Sequence, residues 1–257
     1  MSIIETKNLS FSYGSRKILN NINLSVEEGV FLSILGSNGV GKSTLFKCML
    51  GLNPGFAGDI FISGCSIKAM SPREISSKIA YIPQHTAPAF NFSVEDIVLM
   101  GTTAGQSALS KPGRAELDSV AAALEKVGIE SLRQRCFHQL SGGEKQLVII
   151  ARALAQNART IMLDEPTASL DFGNQMRVLR QIKVLSGEGY TIIQTTHNPE
   201  HAYMFSDRIV ALASGGIYAQ GSPQDIITKE TMSALYNLDV EISSLFEDRV
   251  RVCTSTF

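Results

Sequence analysis

An excess of charge of either sign is missing from this chain. Lys and Arg number 23 against 24 Asp and Glu over 257 residues, a net charge of −1. A nucleic-acid footprint needs clustered base, so that class of partner is not expected. Cysteine pairing signals are also missing. Cys48, Cys65, Cys136 and Cys253 are scattered with no C-x-x-C spacing, which argues against a disulfide or zinc framework and for free thiols in a reducing compartment. No run approaches the ~20 apolar residues that span a bilayer; Leu147 to Ala155 is short and interrupted by Arg152. Met1 to Lys7 has no basic stretch followed by an apolar one, so no secretory leader is expected. The chain reads as soluble by itself, and a role at a membrane would require another polypeptide to cross it. Internal repeats, low-complexity tracts and long linkers are lacking as well. Disorder is not expected, because hydrophobic residues make up 44% of the chain and allow a sizeable core.

Short apolar runs alternate with helix-like segments. Val30 to Leu35, Asp59 to Ile62, Lys78 to Ile82, Thr160 to Leu163, Thr191 to Gln194 and Arg208 to Ala213 read as strands. Ser43 to Leu50, Phe172 to Leu185 and Pro199 to Phe205 read as helices. This alternation predicts an α/β fold with a mostly parallel sheet covered by helices. From His85 to Ala155 the signals are helical. Ser93-Val94-Glu95-Asp96 has the form of a capping box. Gly113 to Val127 carries Leu117, Val120, Ala121, Leu124 and Val127 at helical spacing.

Three segments carry chemistry. Gly36-Ser37-Asn38-Gly39-Val40-Gly41-Lys42-Ser43-Thr44 fits G-x-x-x-x-G-K-[ST], with a strand before it and a helix after it. Glycines let backbone N–H groups approach phosphates closely, and the helix that follows points its positive end at them. Lys42 would reach the β- and γ-phosphates, Ser43 a Mg²⁺ ion and Thr44 the α-phosphate. Ile161-Met162-Leu163-Asp164-Glu165 is an apolar strand ending in two carboxylates. Asp164 is suited to hold Mg²⁺, and Glu165 to polarise an attacking water. Leu140-Ser141-Gly142-Gly143-Glu144 combines small residues with a helix expected over Lys145 to Ala155, a second loop suited to phosphate.

Together these segments resemble the ATP-binding subunit of ABC transporters over about residues 3 to 230. The resemblance implies a P-loop NTPase core of the RecA-like kind, with an N-terminal antiparallel β portion and an inserted helical subdomain. It places the nucleotide-binding α/β core at 1–84 and 160–238, the helical subdomain with the signature loop at 85–159 and a C-terminal tail at 239–257, all within one ATPase domain. It implies ATP and Mg²⁺ as ligands. Tyr13 matches the adenine-stacking aromatic, Gln84 the glutamine that senses Mg²⁺ and the membrane subunit, Asp171 the loop that crosses to the partner, and His197 the histidine that contacts the γ-phosphate. His85, His138 and His201 match no such position. Two departures stand out: Glu144 replaces the usual glutamine of the signature and is expected to point away from the phosphate, and Ser37 stands where proline is frequent.

The resemblance further implies a head-to-tail dimer in which the Gly36–Thr44 loop of one copy and Ser141–Gly143 of the other enclose each ATP. It implies transmembrane permease subunits and, indirectly, a substrate-binding protein, with the chain peripheral on the cytoplasmic face of the inner membrane. Asn91 to Asp96 with Leu99-Met100-Gly101, and Met70 to Ile75 before Tyr81-Ile82-Pro83-Gln84, are similar to the iron-chelate, haem and cobalamin importers. Importers of molybdate or tungstate type stay open. The patch Ala87-Pro88-Ala89-Phe90 with Phe92 is where such subunits receive the permease. A soluble ABC-type ATPase acting on nucleic acid or ribosomes is the rival class, disfavoured by the lack of a heptad insertion and of a second ATPase domain. A regulatory binder that does not hydrolyse ATP is disfavoured by the set Lys42, Asp164, Glu165 and His197. The tail has no functional reading; Arg249-Val250-Arg251-Val252 would suit a small edge strand.

Overall fold

The computed structural model describes residues 2–84, 91–105 and 112–255, and divides into two compact units, Met1–Met70 with Leu185–Phe257 and Ser71–Val184. The patch Ala87 to Phe90 and His85 lie outside the described residues.

The first unit opens with β1 (Ser2–Tyr13) and β2 (Arg16–Glu27), a long antiparallel pair. Ile22, Leu24 and Val26 turn inward while the residues between them stay exposed, the period-two pattern of a sheet with one wet face. Register shifts interrupt the pair. Near one of them the buried Thr6 hydroxyl donates to the Ile22 carbonyl (3.1 Å) and accepts from the Leu24 N–H (3.1 Å), so the irregularity leaves no buried backbone group unserved there. The wholly buried β3 (Phe31–Leu35) leads through the glycine loop into α1 (Lys42–Met49). β4 (Ala57–Ile62) pairs with β1 and carries the short β5 (Cys65–Ser66).

In the second unit α2 (Pro72–Lys78) runs directly into β6 (Ile79–Ile82). α3 (Val94–Leu99) starts at the expected capping box: Asp96 accepts from the Ser93 N–H (3.0 Å) and the Ser93 hydroxyl oxygen accepts from the Asp96 N–H (3.1 Å). α4 (Arg114–Lys126) buries Val120, Ala123 and Leu124, with Val127 just beyond; Leu117 is 39% exposed and Ala121 is exposed, so the inward stripe is rotated from the expected one. α5 (Gly142–Ala155) packs against α3 and α4 and is buried over most of its circumference, as befits a central helix. It begins three residues before the expected Lys145, because Ser141 caps it and draws both glycines into the first turn. β7 (Thr160–Asp164) is buried throughout and runs parallel to β6. α6 (Phe172–Gly187) leads back to the first unit, to which its last three residues belong.

There β8 (Thr191–Thr196) and β9 (Arg208–Ala213) flank β3, both parallel to it, with α7 (Pro199–Phe205) between them. Every residue of β3 is buried, so it needs no polar face; its one polar side chain, Ser33, is served by the Ser206 hydroxyl (2.5 Å) and by Gln194 Nε2 (2.9 Å). β10 (Gly216–Gly221) closes a hairpin on β9. After α8 (Pro223–Ile226) and α9 (Lys229–Tyr236) the tail forms β11 (Val240–Leu245) and β12 (Val250–Ser255), a two-stranded antiparallel sheet of its own rather than one edge strand.

Candidate functional site

The glycine loop leaves β3 with the Gly36 N–H donating to the Thr196 carbonyl at the end of β8 (3.3 Å). Gly41 is the N-cap of α1 at φ +114°, a conformation a side chain would strain. α1 has no side-chain cap and no acidic residue in its first turn. Its N-terminal N–H groups are therefore offered to an anion with no carboxylate from the helix competing. The buried Lys42 Nζ donates to the Gly36 (2.8 Å) and Ser37 (3.2 Å) carbonyls, folding the ammonium over the loop. Ser43 and Thr44 are half-buried; Asn38 and Gly39 are exposed. Val40 N–H closes the turn onto Ser37 O (3.4 Å).

Also in the first unit, Tyr13 is 50% exposed at the end of β1. Its hydroxyl accepts from Asn53 Nδ2 (2.8 Å), and its ring meets Phe11 edge-on at 4.9 Å. A half-exposed aromatic ring suits stacking. His197 follows β8 and precedes the Asn198 cap of α7, whose Oδ1 accepts from the His201 N–H (2.9 Å). The His197 carbonyl accepts from the Tyr236 hydroxyl (2.8 Å). His201 is a buried core residue whose pKa is lowered by burial and then by the nearby His197.

In the second unit, Asp164 is buried at the end of β7 and Glu165 follows it at φ +47°. The left-handed region is costly for a residue with a long side chain, so backbone strain is stored beside the paired carboxylates. The structure brings Gln84 to this end: its Nε2 donates to Glu165 Oε2 (3.2 Å). Tyr81 of β6 hydrogen-bonds the Asp164 carboxylate, and burial together with that carboxylate pushes its phenol up to about 12. Tyr81 thus stays a neutral donor that orients Asp164. Sequence reasoning missed it, since an aromatic in a strand carries no signal for the strand next to it.

Glu144 does not stand clear of the signature loop. Its Oε2 accepts from the Ser141 N–H (2.8 Å) and hydroxyl (2.8 Å), and its own N–H donates back to Ser141 Oγ (3.4 Å). These bonds, first from the Ser141 N–H and then from its hydroxyl, hold the carboxyl below the usual carboxylate range, with help from Arg135 and Arg177. Gly143 is required by close approach: a Cβ there would lie 2.2 Å from Asn174 Oδ1. Asp171 fixes that asparagine, since its Oδ1 accepts from the Asn174 N–H (2.9 Å) and its Oδ2 from Asn174 Nδ2 (2.8 Å). The same bonds, backbone first, lower the Asp171 pKa. Asp171 and the signature glycines are thus joined through Asn174, a second residue the sequence reading missed; the Asp171-x-x-Asn174 spacing of a helix start was its one signal.

The model for the family described as ABC transporter matches residues 19–168. An ABC transporter ATP-binding protein of Haemophilus influenzae is 42% identical over 240 residues, covering 93% of this chain and 91% of the relative. The chain belongs to the ABC transporter family. Within it, an iron(3+)-hydroxamate import ATP-binding protein of Bacillus subtilis is 32% identical over 94% of this chain and 90% of its own length. A hemin import ATP-binding protein of Bradyrhizobium diazoefficiens is 35% identical over 94% and 91%. Among solved structures, an inward-facing ABC transporter superposes with a TM-score of 0.87 at 29% identity, covering 100% of this chain and 98% of that one. As an ABC ATPase the chain binds ATP. Its fold is that of a P-loop NTPase, α/β with a mostly parallel sheet core and an antiparallel N-terminal sheet.

The side chains expected at the metal, Ser43, Asp164 and Gln84, offer oxygen donors, the set that suits Mg²⁺. No group of three or more His, Cys, Asp and Glu able to hold a metal occurs among the described residues. No helix among them is long and apolar enough to cross a membrane.

Proposed function

We propose that this chain is the ATP-hydrolysing subunit of an importer for a metal chelate, an iron–siderophore, haem or cobalamin. The observation that carries the cargo class is the full-length kinship with subunits named for ferric hydroxamate and haem import. The subunit works at the cytoplasmic face of the cell membrane, held there by a separate permease that a substrate-binding protein loads.

In this reading Tyr13 stacks on adenine, and the Gly36–Thr44 amides with Lys42 hold the phosphate chain. Ser43, Asp164 and Gln84 hold Mg²⁺, and Tyr81 keeps the Asp164 carboxylate oriented. Mg²⁺, when bound, neutralises charge on the β- and γ-phosphates. Glu165 takes the proton of the attacking water, and Gln84 holds its carboxylate in place. His197 stabilises charge on the γ-phosphate. A second copy supplies Ser141, Gly142, Gly143 and Asp171 across each nucleotide, so ATP joins two copies and hydrolysis parts them, which gives the permease two states to follow.

The test is uptake. Cells lacking this chain should lose accumulation of a labelled ferric hydroxamate, haem or cobalamin and regain it with the parental gene but not with Lys42→Ala. Loss of molybdate uptake with all three chelates unaffected would overturn the cargo class.

A further inference from the structure

The segment around His197 is held at the main chain by elements far along the sequence. Thr196 Oγ1 accepts from the Asn198 N–H (3.0 Å) and Asn198 caps α7, so both flanks are fixed locally. The carbonyl of His197 itself is gripped from α9, where the Tyr236 hydroxyl donates to it at 2.8 Å. Burial raises the phenol's pKa, so it stays a protonated donor. Tyr236 packs on a core cluster that includes Leu35, the last residue before the glycine loop, and Ile242 of β11 and Cys253 of β12 pack on the same cluster.

The tail also takes hold of the far end of α7. Tyr203 there donates its hydroxyl to the Asp248 carbonyl (2.8 Å), and the Arg251 guanidinium lies 5.1 Å from its ring centre. Arg251 binds Asp248 with two parallel bonds (2.8 and 2.9 Å) and the Gln224 and Ile227 carbonyls with a third nitrogen (2.7 and 2.9 Å). Phe246, Glu247 and Asp248 turn the hairpin with three consecutive left-handed residues (φ 53, 57 and 62°). A turn this unfavourable for non-glycine residues persists only where its surroundings fix it, and the Arg251 network does so.

We propose that Tyr236 is a positioning residue for His197, and that the β11–β12 hairpin is the clamp that holds Tyr236 and α7 in register for it. This rests on the proposed role of His197 at the γ-phosphate. Removing one hydroxyl then lets the loop drift and lowers the rate without changing how ATP is held.

The experiment compares the full-length parent with Tyr236→Phe and His197→Ala at saturating Mg²⁺ and ATP. Tyr236→Phe should lower kcat about fivefold, the size of one net hydrogen bond, with KM for ATP within about twofold. The chain has four histidines, so side-chain NMR can follow His197, whose resonance should shift in Tyr236→Phe. Arg251→Gln, which loosens the hairpin and leaves the phenol, should shift the same resonance and lower kcat by about twofold; it decides the matter should Tyr236→Phe fail to fold. Parental kcat and an unmoved resonance in the folded variants overturn the proposal. If His197→Ala loses turnover while Tyr236→Phe keeps it, the clamp is wrong and the histidine's role stands. If His197→Ala turns over at the parental rate, that role falls and the clamp with it.

Discussion

α1 and α5 each begin on glycines and each is assigned to phosphate, yet their N-termini are finished differently. α1 has a glycine cap, no side-chain acceptor and no acid in its first turn. α5 has a complete capping box in which the Glu144 carboxylate already occupies the Ser141 N–H and hydroxyl. The positive end of α1 is thus offered to an incoming anion, while that of α5 is partly neutralised by the chain's own. An end open in this way can hold nucleotide in a single subunit. In the proposed dimer, an end that satisfies itself would engage a phosphate only when a second subunit presents one, and that phosphate would have to compete with Glu144.

The largest expected effect comes from silencing turnover so that binding at the two ends can be separated. Glu165→Gln should lower hydrolysis by about 10²-fold or more, the range of a lost general base. ATP should then accumulate paired subunits, visible by light scattering. A variant that stays monomeric with ATP, or hydrolyses at the parental rate, would remove both the residue's role and the view that α5 binds only in pairs.

Next is Gly143→Ala, whose methyl would collide with the asparagine that Asp171 holds. Turnover should fall about tenfold while a fluorescent ATP analogue binds the monomer unchanged, as expected where one contact made in the transition state is lost. Weakened monomer binding would show that the two ends are not independent.

The smallest effect sharpens the comparison most. Glu144→Gln keeps an acceptor for Ser141 and removes the charge. ATPase activity should rise by roughly twofold to fivefold, the scale of one screened surface charge. Because the folded state holds this carboxyl below its ordinary pKa, the cap is intact at neutral pH and is lost only as pH falls through that lowered value, beneath the usual carboxylate range. The variant's advantage should therefore shrink toward acid. An unchanged rate at neutral pH would mean that the cap opens at no cost.

The parts legible in the sequence were those whose physics is local. The apolar run of β3 into Gly36–Thr44, the Ser93–Asp96 cap and the Asp164–Glu165 pair declare themselves within a few residues. The bounds of β1 and β2 were not legible, because register shifts break their alternation. The side of α4 that faces inward depends on α3 and α5, and Leu117 alone could not reveal it. The Ser141–Glu144 capping box was not read, although its spacing already spelled one; the glycines between them hid the helix start. Tyr81 on Asp164, Asn174 on Gly143 and Tyr236 on His197 join distant positions or depend on how α6 lies, and no window of sequence contains them.

Glu165 stands directly after β7. At φ +47° it occupies a backbone conformation that glycine or asparagine would hold with less strain. Selection for heat resistance alone would push that position toward those residues, and each such step would forfeit the carboxylate. Durability and work are opposed at this single residue, so a hardened version of this subunit must find its gains elsewhere in the chain.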